Sequence, residues 1–594
     1  MQSRWIIAPP EELSANPISW SEICSSACIA RLLLRKGFAS AEEVENFLWP
    51  RLKSLSDPFL LPNMEAAVTR LLAALDRHER IVLFGDYDVD GVTSLALLTE
   101  MLRAYSPEAA GPELFLPLRM EEGYGLSRES VERCLQQFQP SLLIAIDCGT
   151  SSAAEITDLK RRGVDVIVLD HHEPSVAAAT SGCAGELKSG LPECVAIVNP
   201  KIDPGSPFHY LCSAGIAFKL CHALLKTRPL ADFDLKSKLD LVALATVADI
   251  VPLRGENRTL VQRGAIEIAR HGTSPSDRRT RSTRPGLKKL IEVSGVRLPI
   301  STEDIGFRLG PRLNAAGRLS TAEKALQLLL TQDESEAKAL AEFLDGQNRE
   351  RQEVEKQIFL AAEEKIENEF NSKRDAAIVA VARGWHPGVL GIVASRIARK
   401  YHRPTIVIGF AENGMGKGSG RSIEGLNLVE ALARCGDKID KYGGHEMAAG
   451  LTIQEKNADL FAEVFRQAAR ELLSDEDLQL RLRLDHELAF SELNFDFLHW
   501  HEMLQPFGNG NPQPLFFARE VEPAAVPRVV SEKHLVLRLR QHNYHQRAVY
   551  FDAASLSLPP TPWDVAFRIR SDEYEGETRL EMQVEALRQA APIA

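Results

Sequence analysis

Short apolar runs in the first half of the chain end abruptly in acidic and histidine residues. Ile81-Val82-Leu83-Phe84-Gly85 gives way to Asp86-Tyr87-Asp88-Val89-Asp90-Gly91. Leu142-Leu143-Ile144-Ala145-Ile146 gives way to Asp147-Cys148-Gly149-Thr150, and Val166-Ile167-Val168-Leu169 to Asp170-His171-His172. A fourth run, Leu241 to Ala248, leads into Asp249. The first three have the length and unbroken apolarity of buried parallel strands, and amphipathic helical patterns follow most of them. Residues 76–250 are therefore predicted to be α/β with a parallel sheet. Ligands of open α/β sheets sit beyond the carboxyl ends of the strands, so these acids and histidines should converge at one end of one sheet.

The pattern changes four times elsewhere. Residues 1–75 carry helical signals broken by prolines and are expected to be a lead-in that packs on the first domain, 76–332. Residues 333–372 are charged, free of proline and nearly free of glycine, which predicts one long connecting helix with a break near Gly346. A second α/β region, 373–473, has strands at Ala376 to Ala382 and Thr405 to Ile408 and helices at Gly388 to Lys400 and Leu426 to Cys435. From 474 to 594 the period drops to two, as in Leu535-Val536-Leu537-Arg538-Leu539-Arg540, which predicts a small β-barrel of the oligonucleotide-binding (OB) type. Arg481 with Arg483, and Arg538 with Arg540, then fall on one face of their strands and suit a phosphate backbone.

Length and composition narrow the class. A chain of 594 residues needs more than one core, and 44% apolar with 26% charged residues is a globular composition. No apolar run is long enough to span a membrane, and the first thirty or so residues lack the basic head and apolar middle of a signal peptide. Cytoplasm and a monomer are the expectations. Nine cysteines show no regular framework, so Cys24 and Cys28 read as buried thiols rather than a zinc module. A net charge of −12 argues against a nucleic-acid coat protein but not against a nuclease, whose catalytic carboxylates count toward the total.

So many carboxylates at one sheet end would repel one another without cations among them. Asp86, Asp88 and Asp90 alternate on an extended loop, Gly91 permits close backbone approach, and a helix starts near Val92. Asp147 can bridge two ions, His171 adds a neutral imidazole, and Asp249 closes the set from a helix end. Hard oxygen ligands favour Mg²⁺ or Mn²⁺, and the imidazole tips the choice toward Mn²⁺. Two such ions suit phosphoester hydrolysis. His172 then contacts the scissile phosphate, acts as general acid, or orients a ligand.

Phosphate-binding signals follow downstream. Gly310-Pro311-Arg312-Leu313-Asn314-Ala315-Ala316-Gly317-Arg318 sets Arg312, Asn314 and Arg318 around flexible glycines. Lys417-Gly418-Ser419-Gly420-Arg421-Ser422 reads as an anion nest, with Ser419, Arg421 and Ser422 as contacts. Gly443-Gly444-His445 brings backbone close beside an imidazole. Trp385, in Trp385-His386-Pro387-Gly388, can stack a base next to a helix N-terminus.

These motifs together resemble the DHH phosphoesterase superfamily and, within it, RecJ-type single-strand-specific 5′→3′ DNA exonucleases. Asp86 to Gly91, Asp147-Cys148-Gly149, Asp170-His171-His172 and Thr246 to Leu253 look like its four motifs. Glu122-Gly123-Tyr124-Gly125-Leu126 and Leu309 to Leu319 look typical of the RecJ branch. Gly384 to Val389 and Gly443-Gly444-His445 look like the DHHA1 domain, and Pro506-Phe507-Gly508-Asn509-Gly510-Asn511-Pro512 like the start of the RecJ OB domain. The resemblance covers about residues 50–590. It implies a DHH domain joined by a long helix to a smaller α/β DHHA1 domain, with an OB barrel attached, and release of mononucleotides from single-stranded DNA in repair and recombination. It implies substrate contacts at Arg312, Asn314, Arg318, Arg421 and His445, with His445 nearest the scissile or terminal phosphate and grouped with Asp170 and His172 as catalytic. A single-strand-binding protein and a RecQ-type helicase are the implied partners. Two rivals are a short-substrate DHH phosphodiesterase, which would usually lack the barrel, and a silent scaffold, which would tend to lose motif carboxylates.

Overall fold

The computed structural model describes residues 4–9, 13, 18–108, 111–118, 121–123, 125–174, 190–272, 284–319, 321–372, 374–574 and 577–590. They form two compact units, Pro58–Asp249 with Gly264–Leu480, and Arg4–Asp57 with Ile250–Arg263 and Arg481–Ala594. No described helix is long and apolar enough to cross a membrane.

The first unit begins with a five-stranded parallel sheet in the order Glu113–Phe115, Ile81–Gly85, Leu142–Ile146, Asp165–Leu169, Ala196–Val198. Ile81–Gly85 and Leu142–Ile146 are buried along their whole length. Strands covered on both faces cannot alternate with polar residues, hence their unbroken apolar runs. The strand order reverses between these two, where such a sheet opens a crevice at its carboxyl end. The helices Val89–Tyr105, Ser213–Thr227 and Leu239–Ala248 pack on one another.

Thr302–Asp304, a π turn at Ile305–Leu309 and Gly310–Leu319 make one helical run. The expectation of flexible glycines there is corrected. Gly317 lies in the helix, and a Cβ on it would come within 2.7 Å of the Tyr87 carbonyl, so its smallness serves close packing. The long helix, Glu334–Glu369, runs through Gly346 without a break. Asp333 caps it by accepting from the Glu336 amide at 2.7 Å.

A second, mixed sheet follows in the order Lys441–Gly444, Ala448–Gln454, Met415–Arg421, Thr405–Phe410, Ile378–Arg383. The residues expected as an anion nest therefore lie mostly in a strand, Met415–Arg421, rather than a loop. Period two along it puts Lys417, Ser419 and Arg421 on one face.

A buried ionic cluster closes the first unit. Arg284 donates through Nε to Asp240 at 2.9 Å, and through Nη1 to Glu100 at 2.6 Å and the Leu329 carbonyl at 2.5 Å. His271 Nδ1 accepts from the Arg284 amide at 3.1 Å, so Nε2 carries the proton shared with Asp240 at 3.0 Å. Arg278, Arg279 and Arg281 lie outside the described residues, as does most of 173–193.

In the second unit, Phe516–Pro523, Trp563–Tyr574, Glu577–Gln589, Tyr544–Tyr550 and His534–Gln541 close into a five-stranded barrel. Leu535, Leu537 and Leu539 point into its core while Arg538 and Arg540 are exposed, as the alternation predicts. Residues 1–75 do not form one lead-in on the first domain. Arg4–Ile7 pairs in parallel with Arg481–Leu484. Cys28, Ile29, Leu32 and Leu33, on the helix Ala27–Arg35, share a core with Phe497, Phe516 and Phe567. The apolar face of that helix finds its cover at the far end of the sequence, which no local pattern could indicate.

Candidate active site

Three of the four acidic groups are delivered by strand ends and the fourth, Asp249, by the end of the helix Leu239–Ala248. Asp86 follows Ile81–Gly85, Asp147 follows Leu142–Ile146, and Asp170 to His172 follow Asp165–Leu169. The helix after the first strand starts at Val89, three residues before the predicted start, so Asp90 sits in its first turn. Asp88 is its N-cap and accepts from the Asp90 and Gly91 amides at 2.9 and 3.1 Å. Asp147 holds φ +64°, a conformation uncommon outside glycine, which marks a backbone set by its surroundings.

Three groups of ligand atoms result, each with its members within 4.8 Å of one another: Asp86, Asp88 and Asp147; Asp90, His171 and Asp249; and Asp147, His171 and His172. All six residues expected to hold metal are brought together, and Asp147 belongs to two groups. His171 Nε2 lies 3.4 Å from Asp147 Oδ1 and 3.4 Å from Asp249 Oδ2. Of these atoms, His171 Nε2 and Asp249 Oδ2 are buried and make no hydrogen bond among the described residues. Burial, and then the neighbouring carboxylates Asp90, Asp88, Asp249 and Asp86, push Asp147 well above the usual carboxylate range. Asp249 is raised for the same reasons, first burial and then Asp90 and Asp88. Burial holds His171 down at about 3, so it is a neutral nitrogen donor. Hard carboxylate oxygens with one or two imidazoles, crowded so that their negative charges need a counter-charge, fit a pair of Mn²⁺ or Mg²⁺ ions. Adding Mn²⁺ to protein stripped with EDTA should raise its melting temperature by several degrees, since ligand at a hundred times Kd stabilises by about 2.7 kcal/mol. A thermal melt that stays put at saturating Mn²⁺ would remove the metal assignment.

Asp170 works differently from the other acids. Its Oδ1 accepts from the His171 and His172 amides at 2.8 and 3.1 Å and from His172 Nδ1 at 2.8 Å, and Oδ2 accepts from the Thr150 amide at 3.0 Å. Burial alone would raise its pKa, yet these hydrogen bonds and the His172 charge hold it well below the usual range. Burial likewise opposes charge on His172, but Asp170 outweighs it and lifts the imidazole above its ordinary value. Asp170 thus orients His172 rather than joining the metal groups.

Several contributors were not anticipated. Ser213 donates its hydroxyl to Asp147 at 2.9 Å, and the Ser213 and Ala214 amides donate to the two Asp90 oxygens at 2.7 Å each. Both amides open the helix Ser213–Thr227, whose N-terminal dipole favours the carboxylate. Asn199 donates to the His172 carbonyl and to Thr150 Oγ1, both at 2.9 Å. Its signal was present: Asn199 ends the short apolar run Ala196–Val198, a fifth strand with a polar residue at its carboxyl end.

The expected substrate contacts are distributed more widely. Asn314 accepts from the Val89 amide at 3.1 Å, bracing the metal loop. Arg312 is committed to Asp345 at 2.9 Å and the Arg308 carbonyl at 2.6 Å. Arg318 reaches the Gly388 carbonyl at 3.1 Å, joining the two α/β parts of the first unit. Ser422 donates to the Leu426 carbonyl at 2.7 Å. Trp385 packs half-buried against the core around Ile358 and Val389, with Lys365 5.8 Å above its ring. Arg421 contacts Ser419 Oγ at 3.2 Å and the Gly420 carbonyl at 2.7 Å but has no carboxylate partner among the described residues. Burial lowers its pKa, the mark of a cation short of a counter-ion. Ser419 lines a cleft of about 450 Å³ together with Lys417, Lys441, Tyr442, Pro387 and Gly388. His445 sits in the turn between Lys441–Gly444 and Ala448–Gln454, its amide bonded to the Ala448 carbonyl at 2.8 Å.

Known proteins are similar to this chain. Residues 80–246 match the DHH family N-terminal domain, 374–471 the DHHA1 domain and 484–586 the RecJ OB domain. The single-stranded-DNA-specific exonuclease RecJ of Dickeya dadantii is 35% identical over 97% of this chain and 99% of its own length. The chain belongs to the RecJ family. The RecJ of Bacillus subtilis is 34% identical over 93% of this chain and 66% of its own length. The crystal structure of RecJ in complex with Mn²⁺ from Thermus thermophilus superposes with a TM-score of 0.80 at 31% identity, covering 99% of this chain and 80% of that one. A second RecJ structure from that organism contains Mg²⁺. The donor set of this RecJ-family site and the ions in its relatives agree.

Proposed function

We propose that this RecJ-family chain is a single-stranded-DNA-specific exonuclease that hydrolyses phosphodiesters from the 5′ end and releases 5′-mononucleotides. The observation that carries it is the adjacency of two ligand groups, Asp86 with Asp88 and Asp147 and Asp90 with His171 and Asp249, joined where Asp147 Oδ1 lies 3.4 Å from His171 Nε2, supported by relatives that bear the exonuclease name. When bound, two divalent ions supply Lewis-acid activation of water and charge neutralisation at the phosphate. Asp86 and Asp88 would hold one ion, Asp90, His171 and Asp249 the other, and Asp147 both. With Nδ1 of His172 held by Asp170, phosphate contact or proton donation falls to Nε2. Ser213 and Asn199 keep Asp147 and the His172 backbone in place. Arg421 and Ser419, with Lys417, would take the phosphates of the bound strand, and His445 would approach from the same sheet.

In this proposal the first α/β part, 76–332, is catalytic. The helix 333–372 leads to a substrate-binding part, 373–473, and the barrel, 474–594, binds the strand. A cytoplasmic role in repair and recombination, with a single-strand-binding protein and a RecQ-type helicase as partners, belongs to the same proposal. The test uses one oligomer labelled at its 5′ end and another at its 3′ end, with Mn²⁺, Mg²⁺ or EDTA. Immediate release of labelled mononucleotide from the 5′ end, shortening of the 3′-labelled strand, an untouched blunt duplex and silence in EDTA are expected. Cleavage confined to fragments a few nucleotides long would replace the proposal with a short-substrate phosphodiesterase.

A further inference from the structure

The helix Leu390–Tyr401 packs on the strand Met415–Arg421, and its second residue, Gly391, faces Ser419 and Arg421. A Cβ on Gly391 would come within 2.8 Å of Arg421 Nη2 and 3.0 Å of Ser419 Oγ. The residue is helical, so no left-handed backbone calls for glycine. Within a helix glycine is a weaker choice than alanine. Its missing side chain therefore serves space.

The packing around position 391 decides what would yield to a side chain there. Val389, Leu390 and Val393 are buried in one core with Ile358 and Val407, which fixes the first turn. The strand is hydrogen-bonded on both sides, to Thr405–Phe410 and to Ala448–Gln454. Only the guanidinium and the hydroxyl are the ends of side chains, so they are what would move. Arg421 Nη1 is already engaged, donating to the Gly420 carbonyl at 2.7 Å and to Ser419 Oγ at 3.2 Å. Nη2, the atom beside Gly391, makes no hydrogen bond among the described residues.

We propose that Gly391 is a positioning residue for strand binding: the space left by its missing side chain lets the Arg421 guanidinium lie against the first helical turn with Nη2 open to a phosphate. This rests on Arg421 taking a phosphate of the bound strand, as proposed above, and adds what keeps that cation in place.

The test is filter binding of a single-stranded oligodeoxynucleotide by the full chain in EDTA, with a thermal melt of each protein alongside. Gly391→Ala should weaken binding about tenfold, the size of one charge-assisted contact, while its melting temperature equals or exceeds that of the wild type. The fall of log affinity with log salt should lessen by about 0.7, one phosphate contact fewer on a single strand. Arg421→Ala should show the same two changes. Adding Gly391→Ala to it should then change affinity less than about twofold, because no guanidinium remains to displace. If Arg421→Ala weakens binding and Gly391→Ala does not, the positioning role is overturned. Equal losses from Gly391→Ala with and without Arg421 overturn it too, since the added methyl group then acts on something else. If Arg421→Ala leaves binding unchanged, the phosphate contact itself falls and the positioning role with it. Should Gly391→Ala melt below the wild type, the salt slope decides, because a smaller folded fraction lowers affinity at every salt concentration alike. A reduced slope supports the displaced cation, and an unchanged slope overturns it.

Discussion

Asp147→Asn is expected to lower turnover of single-stranded DNA about a thousandfold while leaving strand binding within a few-fold. Asparagine is the informative replacement because it tolerates the left-handed backbone at φ +64° and preserves the side chain's shape. What it removes is the negative charge common to two ligand groups. Losing several kcal/mol of transition-state stabilisation at such a centre, ~4 kcal/mol, corresponds to about three powers of ten in rate. Strand affinity depends on cations such as Arg421 and on stacking surfaces, none of which the substitution touches. Single-turnover rates and filter binding measured on the same preparation separate the two quantities. Turnover near the wild-type rate would mean that Asp147 does not serve both ions.

The second large effect concerns stability. Arg284→Met should destabilise the first unit by about 3–5 kcal/mol in denaturant titration, the cost of leaving a buried charge without its partner. Arg284 is 5% exposed, and its partner Asp240 1%. Burial alone would raise the Asp240 pKa, but Arg284 and then His271 outweigh it and hold the carboxyl well below its usual range. A carboxyl depressed on folding contributes its stability above the unfolded value, near pH 4, and loses it as the pH falls toward the folded value. The wild type should therefore weaken progressively below about pH 4, and this limb should shrink in Arg284→Met, whose Asp240 has lost its main partner. Converting Asp240 to Asn in the same variant should recover part of the loss. A destabilisation under ~1 kcal/mol would place the cluster with surface ion pairs instead.

The cluster of candidate metal ligands was legible because its members are side chains attached to strong local signals. Asp86, Asp147 and His171 each sit where an unbroken apolar run stops, and a parallel sheet brings such ends together whatever lies between them. The supports were hidden for the opposite reason. Ser213 acts through a helix start 66 residues from Asp147, and Asn199 follows a strand of only three residues. Glycines misled in one place: Gly317 suggested flexibility, while its role is to let a helix lie against the Tyr87 carbonyl. Arg312 and Ser422 have the chemistry of phosphate contacts, but Asp345 and the Leu426 carbonyl already engage them. Spacing along a chain reports which groups are present, and only the fold reports which are committed.

The pairing of the chain's early helices with its last domain also bears on synthesis. Ser25 and Asp496 are hydrogen-bonded across 471 positions. At roughly 5–20 residues per second, the ribosome takes on the order of 25–95 s to reach the partner. Through that interval Ile29 and Leu33, fully buried in the finished protein, have only nearby residues such as Trp20, Val44 and Leu48 as native cover, while the whole catalytic unit emerges before the rest of their core. The early helices are thus natural clients for a chaperone that works at the ribosome exit. A nascent chain stalled anywhere before the barrel should leave their barrel-facing side exposed.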